Sequence, residues 1–131
     1  MTSREITREG PTDITDIQGI AEQQFFLLLK AKLPQRTTVD YESQIFISSN
    51  GGGRIEATVP DFIITKPNGV KIAIEITTEN QNGTDPKEKQ KRVMRTVAPE
   101  LRYVVLYREN LMAIQRRHPE FNFFNGKKIK K

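Results

Sequence analysis

Apolar residues recur three and four apart at Ile17, Ile20, Ala21, Phe25, Leu28 and Leu29, which predicts a helix over 17–33 stopped by Pro34. Polar residues at 12–16 offer N-cap candidates for it. Over 42–48, Ser43, Ile45 and Ile47 alternate with Gln44, Phe46 and Ser48, a mostly apolar strand leading into a Gly-rich hairpin loop at 49–53. Residues 54–65 read as a second strand, with Pro60 marking an edge, a bulge or a strand start. The third, 70–77, turns Val70, Ile72, Ile74 and Ile76 to one face, beneath a helix, and Lys71, Ala73, Glu75 and Thr77 to the other. After a loop at 78–84, Asp85 as N-cap and Pro86 at the first helical position predict a helix to about Thr96. A strand at 101–107 and a helix at 109–117, ending before Pro119, complete the pattern. The polar, aperiodic residues 1–11 predict a mobile arm, and 125–131 a basic tail. The order predicts an α/β fold: a helix, a three-strand meander, a crossover helix and a further strand (αβββαβ), forming a mixed sheet flanked by helices.

The second and third strands carry the candidate chemistry. Lys66-Pro67-Asn68-Gly69 is a turn signal, so Asp61 and Glu75 are predicted to meet on neighbouring strands of a hairpin. Two carboxylates held close repel each other, and a divalent cation stabilises such a pair. Mg²⁺ takes oxygen ligands and keeps waters for phosphate chemistry. An ordinary turn with two solvated acids accounts for the same residues. The glycines at 51–53 are not followed by a helix or a GK[ST] triplet, so they read as a strand connector, not a phosphate loop.

Composition narrows the options. A chain of 131 residues suits one domain with a single core. With no cysteine and only His118 for histidine, Cys-based zinc sites are excluded, and Ser-His-Asp catalysis has a single residue to draw on. His118, between Arg117 at a helix end and Pro119, reads as a surface residue. No apolar run approaches a membrane span, and Met1-Thr2-Ser3-Arg4 lacks a secretory apolar core, so a cytoplasmic protein with no membrane partner is expected. Residues 1–83 carry eight Lys/Arg against eleven Asp/Glu, a net of −3, while 84–131 carry thirteen against five, a net of +8. That asymmetry suits a polyanion gripped by one part and cut by another, although basic helices and tails also serve solubility alone.

Pro60-Asp61 followed by Glu75-Ile76-Thr77, set in this order of elements, resembles the PD-(D/E)XK nuclease signature, with Thr77 where the family has lysine. The resemblance covers about 17–108 and implies a restriction-endonuclease-like core. Within that superfamily the spacing is similar to phage endonuclease I-type Holliday-junction resolvases, small homing endonucleases and transposase endonuclease subunits. It implies a DNA endonuclease using Mg²⁺ or Mn²⁺, held by Asp61, Glu75 and the Ile76 carbonyl, with Glu22 matching the extra helical acid of several such families. A migrated lysine would come from Lys87, Lys89 or Lys91, with Gln81, Gln90 and Lys71 as weaker substitutes. Substitution of the motif lysine equally suits a catalytically silent relative that binds DNA or scaffolds a complex.

The expected partner is duplex or branched DNA. Lys87, Lys89, Lys91, Arg92, Arg116, Arg117, Lys127, Lys128, Lys130 and Lys131 supply phosphate contacts. A homodimer or higher homo-oligomer is expected, because both strands of a duplex or junction must be addressed. The aromatic cluster Phe121, Phe123 and Phe124 reads as core packing or as a contact.

Overall fold

The structure, a computed structural model, describes residues 2–3, 13–49, 55–81 and 83–124. Its elements in chain order are β1 (Thr2–Ser3), a 3-10 turn (Ile14–Asp16), α1 (Ile20–Lys32), β2 (Thr38–Tyr41), β3 (Phe46–Ser49), β4 (Ile55–Thr58), β5 (Phe62–Thr65), β6 (Lys71–Ile76), α2 (Glu88–Val97), β7 (Arg102–Leu106) and α3 (Arg108–Arg117). The fold is mixed α/β, as expected, but the strands divide into two sheets.

The main sheet has the order β2-β5-β6-β7. β2 and β6 flank β5 antiparallel, and β7 lies parallel to β6 after the α2 crossover. A second sheet, β1-β3-β4, holds the hairpin. Three expectations are corrected here. The single strand predicted over 54–65 is broken: Pro60 has no N–H for a ladder, and the chain passes from one sheet to the other around it. The strand predicted over 42–48 begins only at Phe46, and β2 before it, too short and too polar for an alternation signal, was not expected. Between them Glu42 takes a left-handed conformation (φ 48°), the kink at which the chain leaves the main sheet. Finally, Thr2–Ser3 pair with Ser48 and Ile47, where a mobile arm was expected; residues 4–12 and the tail at 125–131 lie outside the described residues.

The sheet separates two apolar layers. Phe62, Ile64, Ile74 and Ile76 face α1, where Ala21, Phe25, Leu28 and Leu29 join them. The Phe25 ring lies 5.7 Å from Phe62 and 6.3 Å from Phe123, so the C-terminal aromatic residue is core. On the opposite face Ile63 and Ala73 pack with Phe46 and with Val93, Met94 and Val97 of α2. Val70, expected in the apolar row of the third strand, is 48% exposed because β6 begins only at Lys71.

Helix starts also shift. α1 begins at Ile20 with Gly19 as N-cap, three residues after the predicted start, since 14–16 form a 3-10 turn instead. α2 starts at Glu88 with Lys87 as N-cap. Asp85, the predicted N-cap, instead accepts a 2.9 Å bond from the Lys87 N–H through Oδ1, a turn two residues long.

Candidate active site

Strand register places the two acids. Phe62 pairs with Ile74, so one step further along this antiparallel ladder Asp61 faces Glu75, on the α2 side of the sheet. Two steps along, Pro60 falls opposite Ile76. Proline has no N–H for the Ile76 carbonyl, and the Ile76 N–H donates instead to Asp61 Oδ2 at 2.7 Å. The Pro-Asp dipeptide thus turns a ladder position into a carboxylate anchor beside a carbonyl that proline cannot engage.

Both acids are buried, Asp61 at 9% and Glu75 at 4% exposure. Glu75 is held from two sides: Lys87 Nζ donates to Oε2 at 3.0 Å, and the Tyr103 hydroxyl donates to Oε1 at 3.4 Å. Burial, reinforced by the charge of Glu75, pushes the Asp61 carboxyl up to about 7, against the Ile76 hydrogen bond. Burial also raises Glu75, and Lys87 offsets part of that rise. The α2 lysines are therefore not equivalent. Lys87, at the helix N-cap, reaches Glu75. Lys91 is paired with Asp85 at 2.8 Å, and Lys89 is exposed.

Glu22 approaches around the strand ends. Its carboxylate folds back over Gly19, where an added Cβ would collide with it, and its charge raises Asp61. With Ile76, Thr77, Thr78 and Arg108 it lines a cavity of about 680 Å³. Thr77, which stands where the PD-(D/E)XK signature has lysine, accepts the Glu79 N–H through its hydroxyl at 3.1 Å, closing the turn after β6.

Of the other residues named from the sequence, the described ones below make their contacts away from this pair. Arg92 makes a two-pronged ion pair with Glu56 of β4, at 3.1 and 2.6 Å. Arg116 and Arg117 are exposed on α3, and His118 caps that helix through its N–H to the Ile114 carbonyl. Lys71 acts on Asp40, whose carboxyl burial raises and this lysine lowers. Lys127, Lys128, Lys130 and Lys131 lie outside the described residues. Gln81 donates its N–H to Glu109 at 3.4 Å, and the buried amide oxygen of Gln90 has no hydrogen-bond partner among the described residues.

Three residues near the site were not anticipated. Tyr103 fixes Glu75, and the alternation of Tyr103, Val105 and Tyr107 in a strand beside Glu75 was a usable signal. Arg108 brings a cation to the Glu22 cavity, packed 4.5 Å over the Phe124 ring. Glu42 raises Glu75 and donates its N–H to the Asp61 carbonyl, a proximity that depends on the unexpected β2.

Among the described residues no three acidic or histidine side chains form a metal cage. The oxygen donors that the register brings near one another are the two facing carboxylates, with Ile76 one residue beyond Glu75. No family model matches the chain, and neither curated proteins nor solved structures give a significant match.

Proposed function

We propose that the chain is a metal-dependent endodeoxyribonuclease built on a restriction-endonuclease-like core of PD-(D/E)XK type. The observation that carries the proposal is the buried Asp61–Glu75 pair with Lys87 Nζ at 3.0 Å from Glu75. Two ionised carboxylates in a desolvated site call for positive charge, and a lysine within reach of that charge is what phosphodiester hydrolysis uses.

Asp61, Glu75 and the Ile76 carbonyl would hold Mg²⁺ or Mn²⁺. When bound, such an ion makes hydroxide available near neutral pH and offsets charge growing on the phosphate. The Ile76 N–H orients Asp61, and Tyr103 orients Glu75. Lys87, whose ammonium lies 3.0 Å from Glu75, takes the place of the lysine missing at Thr77 and would hold the attacking water or a phosphate oxygen. Glu22 and Arg108, across the cavity, bracket the approach of the backbone. Base-reading motifs are not apparent, so the substrate is DNA selected by structure, as at a junction, or by a homing-type pairing of two protomers.

One observation favours a second reading. Lys87 and Tyr103 already satisfy both oxygens of Glu75, as a silent relative that binds DNA without cutting would have them. Incubation with supercoiled plasmid, linear duplex and four-way junction, in Mg²⁺ or in EDTA, separates the two. Cutting in Mg²⁺ alone supports the nuclease; intact substrates that the protein nevertheless retards support the silent relative.

A further inference from the structure

A second cavity, of about 720 Å³, lies between α2 and β7 on the same face of the sheet as the carboxylates. Met94, Leu101 and Val105 give it an apolar floor, Tyr103 and Tyr107 aromatic surfaces, and Lys91 and Arg95 its charge. None of its lining residues is acidic. Both rings are fixed by their hydroxyls: Tyr103 donates to Glu75 and Tyr107 to Asp85 at 2.9 Å. Lys91 sits 5.1 Å over the Tyr107 ring while paired with Asp85, and Arg95 contacts Glu88 at 3.6 Å on the surface. The Asn110 amide oxygen accepts the Tyr107 N–H, which leaves its NH₂ as a donor.

We infer that this cavity takes an unstacked nucleobase of a single DNA strand, its phosphate lying toward Arg95. The size is that of a small-ligand site. Tyrosine rings in the wall, an apolar floor and flanking cations are what a base with its backbone charge requires. Tyr103 belongs to both sites, touching Glu75 at its hydroxyl and lining the cavity with its ring, so the bound base lies beside the carboxylates. The inference rests on the nucleic-acid reading above and specifies its substrate: a strand locally freed from its duplex.

The test is binding in EDTA, without cutting. A fluorescent ten-nucleotide thymidylate strand is compared by anisotropy with an abasic strand of equal length and charge. The thymidylate strand is expected to bind roughly tenfold tighter, the scale of one stacked base. Val105→Trp, which fills the cavity, is expected to bring the ratio to about one. Should that variant misfold, the Met94 methyl signal of the unaltered protein reports instead: it is expected to shift with thymidylate and not with the abasic strand. Equal affinities together with an unmoved Met94 signal would overturn the inference. Displacement of the strand by thymidine monophosphate at or below the strand's own concentration would overturn the strand assignment. Absence of cutting in Mg²⁺ bears on the carboxylate site alone and leaves this result standing.

Discussion

Burial and the neighbouring Glu75 make the charge of Asp61 costly, and that tension has measurable consequences. Burial favours the protonated form of Asp61 and pushes its carboxyl up to about 7. The sign follows from linkage: a carboxyl raised in the folded state contributes stability at low pH, which is lost as pH rises through about 7. Metal-free protein is therefore expected to lose stability, on the order of a few kcal/mol, between about pH 4 and 8. Asp61→Asn should flatten that dependence, as chemical denaturation across pH would show; an equally steep loss in the variant would contradict it. The α2 lysines give the second prediction at this scale. Since only Lys87 meets Glu75, Lys87→Ala is expected to lower the single-turnover rate by 100-fold or more, on the scale of a lost transition-state contact. Lys89→Ala and Lys91→Ala should change it less than about threefold, and equal losses in all three would mean that the helix only attracts DNA.

Pro60 decides more than any other position at the scale of elements. It is fully buried at the junction of β4 and β5, and the missing N–H both ends pairing and denies the Ile76 carbonyl its ladder donor. Pro60→Ala supplies an N–H to that carbonyl. It is expected to weaken Mn²⁺ binding severalfold by calorimetry while the far-UV circular dichroism stays unchanged; undiminished binding would remove the carbonyl from the ligand set. The acids were legible in sequence because a turn signal and a period-2 strand fix their register with little help from the rest of the chain. The α2–β7 crossover was legible for the same reason, since its caps and breakers are local. The division into two sheets was not. A strand break at one proline and a left-handed kink at Glu42 leave the polar–apolar alternation almost intact while redirecting the chain. Lys87, likewise, could be singled out from its neighbours only once α2 was known to start at Glu88, which puts Lys87 at the N-cap over Glu75.

Charge and core act at the scale of the molecule. Residues 84–131 carry a net +8 and residues 1–83 a net −3, and each phosphate neutralised by a lysine or arginine releases counterions. Removing residues 127–131 deletes four positive charges. It is expected to make log K less steep in log salt, by up to about four if all are engaged, on every DNA sequence alike. An unchanged slope would assign the tail to solubility alone. No helix among the described residues is long and apolar enough to cross a membrane. The core beneath the site rests on Phe62, fully buried between Phe25 and Tyr41. Phe62→Ala is expected to cost about 3–5 kcal/mol by urea unfolding, and a loss below about 1 kcal/mol would contradict that placement.

The central claim is that the facing carboxylates cut DNA with a divalent cation. Its most direct test is the single-turnover rate of strand cleavage, in Mg²⁺ at saturating enzyme, for the unaltered protein, Asp61→Asn and Glu75→Gln. The account predicts cleavage by the unaltered protein that EDTA abolishes, and a loss of at least about 100-fold in each folded variant. Cleavage that persists in EDTA, or that both variants retain in full, would contradict it.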